Sequence, residues 1–354
     1  MNFKIGKKNV GHGKKTFVVA ELSGNHNQSL KRAKKLIKFA KLAGADAVKL
    51  QTYTADTITL KSNKKDFKIK QNSPWKKYNN FWDLYNVAST PWSWHKELFK
   101  IAKQNNIEIF SSPFDESAVD FLEDLNCPAY KIASPEINHI PLIEKVGKTK
   151  KPVIISTGLA NLKDIKLALK TLKKNGCNKI AILQCVSSYP APLSEQNLKI
   201  IPDIQKKFKV LSGLSDHTIG NTSALASVAL GGSIVEKHFT IDEKIKTVDS
   251  FFSSNFQTFK DMVKKIREVE LSIGKAQYDI SKASKKHLKG RRSIYISKLI
   301  NKGEKLSKKN VKIVRPHFGL HPKFFSKVLG KISKKKLTEG TPLKIRYLKN
   351  FNND

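Results

Sequence analysis

The residues of this chain best suited to chemistry are two histidines, two lysines and a set of carboxylates and hydroxyls, all placed at the ends of short apolar runs. His217 lies in GLSDHTIG and His238 in VEKHFT. Neutral imidazoles suit Mn²⁺, Fe²⁺ or Zn²⁺. A pair of them with a carboxylate (Glu21, Asp216 or Glu236) and open water positions would make a Lewis-acid site. Each histidine alone reads equally as a hydrogen-bonded loop or interior residue. Lys49 and Lys131 sit inside apolar runs, where an ammonium is costly unless it meets an anion. With Ser112, Ser134 and Ser156 they suit a phosphate and a carboxylate. The competing readings are interior ion pairs with Glu21 or Glu136, and a Schiff-base lysine.

These side chains need elements to carry them. Short β-branched runs occur at 17–22, 47–52, 107–112, 130–134, 153–157, 180–186, 210–215 and 233–240. Between them lie lysine-rich stretches with apolar residues three and four apart. Examples are 30–42, with Ala33, Leu36, Ile37 and Ala40, and 161–174, with Leu162, Ile165, Leu169 and Leu172. Strands alternating with helices imply a parallel sheet. Eight of them in about 250 residues, closed by a helix at 256–274, imply an α/β fold of the (β/α)₈ TIM-barrel type. An open doubly wound sheet is the runner-up.

Chemistry in such a barrel lies where the strands run out. Every run here ends in polar groups: Glu21; Lys49 and Gln51; Ser111 and Ser112; Lys131 and Ser134; Ser156 and Thr157; Gln184; Ser215, Asp216 and His217; Glu236 and His238. Residues two apart share a face, so Lys49/Gln51 and Glu236/His238 act as pairs. The long connection at 53–90, flanked by Trp75, Trp82, Trp92 and Trp94, reads as a lid over the mouth. The loop from Ser23 to Ser29 reads as a turn in which Ser29 caps the next helix.

The barrel is assigned to residues 1–275, a polar linker to 276–290, and a small β-rich domain to 291–354, with strand-like pieces SIYIS, VKIVRP, KISKKKL and TPLKI. Three cysteines without a CxxC pair read as reduced thiols of a cytoplasmic chain. No apolar run approaches a membrane span, and the N-terminus has no apolar secretory segment. The net charge is +38, yet only six of 67 basic residues are Arg, and the lysines are spread over most helices. Without a nucleic-acid motif this argues against nucleic acid, while the field would still attract small anions. A binding protein with a basic face is the remaining non-enzymatic reading.

Several strings fit together: AELSGNHNQSLKRA, GADAVKLQTYTADTITL, TPWSWHKELF, FSSPFDESAVDFLE, YKIASPEI, ISTGLA, SSYPAP, GLSDHTIG and VEKHFT. In this order they resemble the sialic acid synthase family, which condenses phosphoenolpyruvate with an acylated amino sugar. RRSIYISKLINKGEKLSKKNVKIVRPHFGLHP is similar to the antifreeze-like (SAF) domain of those enzymes. LSGNHNQ, KLQTYTADTITL, DLY…TPWSWHKELF and GLHPK are most similar to the pseudaminic acid branch, with legionaminate and N-acetylneuraminate synthases on the same scaffold.

For the pseudaminic acid branch the implied sugar is 2,4-diacetamido-2,4,6-trideoxy-altropyranose. The resemblance implies His217 and His238 as ligands of Mn²⁺ or Mg²⁺, and Lys49, Lys131, Ser112, Ser134, Ser156 and Ser215 around phosphoenolpyruvate. Glu21 and Glu136 are implied at the reacting centre, with Glu21 expected to activate water. Gln51, Tyr189 and Asp249 are implied to face the sugar, and Arg315 to reach it from a partner subunit in a cap-exchanging homodimer. The string from Lys246 to Ser250 departs from the glycine-rich loop usual there.

Overall fold

The β-branched runs are apolar on both faces because both faces are covered, one by the barrel interior and one by helices. In the computed structural model, which describes residues 1–351, they form eight parallel strands. These are preceded by a hairpin of β1 (Asn2–Ile5) and β2 (Lys8–Gly11). The barrel strands are β3 (Phe17–Glu21), β4 (Ala47–Thr52), β5 (Glu108–Pro113), β6 (Tyr130–Ile132), β7 (Val153–Ser156), β8 (Ile180–Cys185), β9 (Leu211–Asp216) and β10 (Ile234–His238). Strand β10 pairs back onto β3, so the barrel closes. Ile5 and Val10 of the hairpin are fully buried in one cluster with Phe17, Val19 and Ala47. The hairpin therefore stops the end where the strands begin, leaving the opposite end for chemistry.

Helices follow the strands: α1 (Leu30–Leu42), α2 (Ala55–Ile58), α3 (Phe81–Ala88), α4 (Trp92–Gln104), α5 (Glu116–Asp124), α6 (Ile140–Lys148), α7 (Leu162–Lys174), α8 (Ile200–Phe208), α9 (Thr222–Ala229) and α10 (Phe256–Ile273). In α1 the buried stripe is Ala33, Leu36, Ile37 and Ala40, and the Ser29 side chain accepts the Arg32 backbone N–H at its start. The connection at 53–90 holds α2 and α3, and Ile69, Leu84 and Ala88 from it pack with Val248 in a cluster of their own.

Residues Met1–Gly274 and Lys275–Asp354 are separate compact units. In the second, β11 (Ser293–Ile296) and β12 (Val311–Val314) pair antiparallel over a core including Ile294, Ile296, Val311, Leu337 and Leu343. KISKKKL and TPLKI were expected as strands. They make only isolated bridges, Lys305 to Ile332, Ser333 to Leu348, Ile300 to Leu337 and Tyr295 to Pro342. The 276–290 stretch carries α11 (Lys282–Lys285) and a 3₁₀ turn at Leu288–Gly290. Among the described residues no helix is long and apolar enough to cross a membrane.

Candidate active site

Register decides which polar strand ends meet. Glu21 stands opposite Lys49, Gln51 opposite Ser112, Ser215 opposite Glu236, and His238 opposite Glu21. Their side chains turn into the barrel. The alternate residues turn into the helical layer, where Thr52 Oγ1 bonds Ser111 Oγ and the His95 ring, and the Gln184 amide donates to Gln196 O. Ser111, Thr157 and Gln184 thus leave the list of site candidates, and β8 offers Cys185 instead.

At the open end lies a cavity of about 400 Å³. Lys49, Gln51, Lys131, Ser134, Glu136, Ser156, Tyr189, Ser215, His217, His238 and Asp249 all line it. Glu21 and Ser112 do not reach its wall. They hold Lys49 from behind: Glu21 Oε2 lies 2.5 Å from the ammonium, which donates to Ser112 Oγ at 3.2 Å. Glu21 Oε1 also accepts the Gln51 amide at 3.1 Å. Arg315 is exposed in the second unit, just past β12.

The floor is a buried charge cluster. Lys49 and Lys131 are 3% and 2% exposed. Glu236 lies 3.5 Å from the first ammonium and 3.7 Å from the second. Burial disfavours the Lys49 ammonium, but Glu21 and Glu236 more than compensate, so it stays protonated. Burial lowers the proton affinity of Lys131, with Glu236 opposing. Burial would raise Glu236, but Lys131 and Lys49 hold it below the usual carboxylate range. The sequence named Glu236 as a possible third metal ligand, whereas the structure sets it between the two lysines. Its signal was its position two before His238.

Glu136 behaves differently. Burial pushes its carboxyl up to about 7, and its buried Oε2 has no hydrogen-bond partner. Glu21, engaged by Lys49 and Gln51, is poorly placed to activate water at the cavity; of the carboxyls that line it, Glu236 is held by the two lysines and Asp249 by the Gly24 N–H, which leaves Glu136. The interior ion pair expected for Lys49 exists with Glu21, and among the described residues none is found for Glu136. Ser156 Oγ is likewise buried without a partner.

The two imidazoles face each other with ring centroids 5.3 Å apart. His217 Nδ1 donates to Val186 O at 2.8 Å, and His238 Nδ1 lies 3.2 Å from Ser23 Oγ. With both Nδ1 atoms engaged, each Nε2 is the nitrogen left to ligate, the usual arrangement for metal-bound histidine. The carboxylates considered as third ligand are otherwise occupied: Glu21 by Lys49, Glu236 by both floor lysines, Asp216 by Lys237 behind the barrel wall. Among the described residues no group of three His, Cys, Asp or Glu is placed to hold a metal. Two nitrogens with remaining positions for water and substrate fit Mn²⁺ better than Mg²⁺, which prefers oxygen.

The roof is aromatic. Tyr189 packs against His217 and Phe252, with centroids 4.5 and 4.9 Å away. Trp75 of the long connection donates its indole N–H to Val248 O at 2.9 Å. Thr247 bonds Asn25, and Asp249 Oδ2 accepts the Gly24 N–H at 3.2 Å. The non-glycine loop at 246–250 is therefore fastened by two segments, the 53–90 connection and the loop after β3. Burial raises the Asp249 carboxyl.

Known proteins share this arrangement of sequence. The chain is 44% identical to a pseudaminic acid synthase of Campylobacter jejuni, covering 95% of this chain and 97% of that protein. It is 44% identical to a pseudaminic acid synthase of Helicobacter pylori, covering 92% and 96%. The structure of an N-acetylneuraminic acid (sialic acid) synthetase from Leptospira borgpetersenii superposes with a TM-score of 0.72 at 26% identity, over 81% of this chain and 95% of that one. Residues 291–345 match the SAF domain. Residues 36–278 match the NeuB family model, and with the barrel, the lysine floor and the facing imidazoles already described, the chain belongs to the NeuB family.

Proposed function

We propose that the chain is a pseudaminic acid synthase, condensing phosphoenolpyruvate with 2,4-diacetamido-2,4,6-trideoxy-altropyranose and water to give pseudaminic acid and phosphate. The observation that carries this reading is the opposition, inside one cavity, of two buried ammonium groups and two facing imidazoles. The 44% identity to pseudaminic acid synthases supports this choice of sugar.

In this reading Lys49 and Lys131, with Ser134, Ser156 and Ser215, take the phosphate and carboxylate of phosphoenolpyruvate. The long contacts of Glu236 to both ammonium groups make it the partner those anions displace. Ser112 and Glu21 keep the Lys49 amine aimed at the cavity. His217 and His238 hold a divalent cation, Mn²⁺ in preference to Mg²⁺, which when bound polarises the aldehyde oxygen of the open-chain sugar. Gln51, Tyr189 and Asp249 orient the sugar so that its aldehyde carbon meets C3 of phosphoenolpyruvate, replacing a bimolecular encounter with fixed geometry. Glu136, poised near neutrality, takes a proton from the water that adds at C2, and phosphate then leaves by C–O cleavage. Trp75, Phe252 and Tyr189 keep bulk water out.

Arg315 of a second copy completes the sugar site in a homodimer. Exposed apolar side chains on the βα loops, Leu159, Leu193, Ile219 and Phe251, support a covered mouth.

The test is phosphate release from phosphoenolpyruvate with a panel of acylated amino sugars, with and without chelator. The trideoxy sugar should be used best, chelation should stop turnover, and Mn²⁺ should restore it. N-acetylmannosamine as the better substrate would overturn the sugar assignment, and full activity without metal would overturn the cation's role.

A further inference from the structure

A buried ion pair lies immediately behind the two imidazoles, on the opposite side of the barrel wall. Asp216 precedes His217 and Lys237 precedes His238, and the two are Cα partners in the β9–β10 ladder. Lys237 Nζ is 2.6 Å from Asp216 Oδ2 and donates to Thr218 O at 2.7 Å, while the Thr218 N–H donates to Asp216 Oδ1 at 2.9 Å. The side chains of Lys237 and Asp216 are 2% and 0% exposed. Among the described residues, the other ion pairs this deeply buried all belong to the floor around Lys49 and Lys131.

The two histidines are not held alike. His238 lies within β10, opposite Glu21. His217 comes after the last residue of β9, where the β9–β10 ladder ends at Asp216. Its own carbonyl accepts the Ala191 N–H at 2.9 Å, and Lys237 grips both of its neighbours: the carboxylate of Asp216 and the carbonyl of Thr218. A buried ion pair is a poor source of stability compared with apolar groups of the same volume, and its best-attested use is to fix a geometry. We propose that Lys237 is a positioning residue, whose ammonium clamps the Asp216–Thr218 segment so that His217 meets His238 at ligating distance. The inference rests on the reading of these two histidines as the cation's ligands.

The test is Mn²⁺ titration of the full chain, followed by electron paramagnetic resonance, beside thermal unfolding without metal. The double variant Asp216→Asn/Lys237→Met removes both charges but keeps an acceptor for the Thr218 N–H. It should melt close to the wild type yet bind Mn²⁺ about 10- to 100-fold more weakly, the usual effect of losing a group that orients a metal ligand. Phosphoenolpyruvate affinity measured without metal should not change, because the lysine floor lies on the other face. Asp216→Asn alone, which keeps an acceptor for the Thr218 N–H but replaces the oxygen facing Lys237 by an amide NH₂, should weaken Mn²⁺ several-fold and serves if the double variant does not fold. Either variant, folded and binding Mn²⁺ within twofold of the wild type, overturns the proposal. A wild-type chain that binds no Mn²⁺ overturns the cation reading itself, a distinguishable result.

Discussion

Glu136 sets folding against chemistry. Burial carries its carboxyl from an ordinary 4.5 to about 7, so the folded chain holds a proton there that the unfolded chain has released. Stability from this group is therefore complete below pH 4.5, falls between 4.5 and about 7, and stays low above. The cost above pH 7 is on the order of 3 kcal/mol. Glu136→Gln should recover much of it, unfolding at higher denaturant than the wild type at pH 8 and at equal denaturant at pH 4. Its turnover should drop by about 10²–10⁴, and the wild-type kcat/KM should decline below pH 7. A variant of unchanged stability at pH 8 would contradict the burial argument. Lys49 and Lys131 were legible in the sequence because an ammonium in an apolar strand demands an anion. The choice between Glu21 and Glu136 was not, since both stand near strand ends, Glu21 closing β3 and Glu136 just past β6, and only the fold shows which one is held by Lys49 and Gln51.

At the scale of elements, the spacing of β9 and β10 sets the distance between the imidazoles, and Gly213 sets that spacing. A Cβ there would lie 2.1 Å from Ile234 O, its neighbour across the ladder. Gly213→Ala must push the strands apart, at a cost of about 1–3 kcal/mol or more. It should lower the melting temperature and weaken Mn²⁺ binding together, whereas a melting temperature equal to wild type would show that the strands yield freely. All eight barrel strands were readable from their β-branched runs, because a strand covered on both faces writes an unbroken apolar signature. The hairpin of β1 and β2 was not, for it buries only Ile5, Val10 and Gly11 fully and exposes or half-exposes the rest. KISKKKL and TPLKI misled for the converse reason, apolar residues anchoring a core without a ladder. Parity along each strand explains the remaining errors: Gln184 and Ser111 end strands as plainly as Cys185 and Ser112, but face the helices.

For the whole molecule, the decisive matter is whether one chain suffices. Arg315→Ala should mainly raise the KM for the sugar. Paired with a His217→Ala chain in hybrid dimers, it should restore about half of wild-type activity, because one of the two sites then has both wild-type residues. No recovery in verified hybrids would contradict a cap exchanged between copies. The excess of lysine, +38 overall, was legible as a number but not as a role. The function of Lys49 and Lys131 comes from burial, which composition does not record. The central claim is condensation through C3 of phosphoenolpyruvate, with water adding at C2 and phosphate leaving by C–O cleavage. It is tested most directly with phosphoenolpyruvate carrying ¹⁸O in the oxygen bridging C2 and phosphorus, turned over with the trideoxy sugar and Mn²⁺. The account predicts the label in the released phosphate and a water-derived oxygen at C2 of the product. Label retained on the carbon skeleton, with unlabelled phosphate, would mean P–O cleavage and would contradict it.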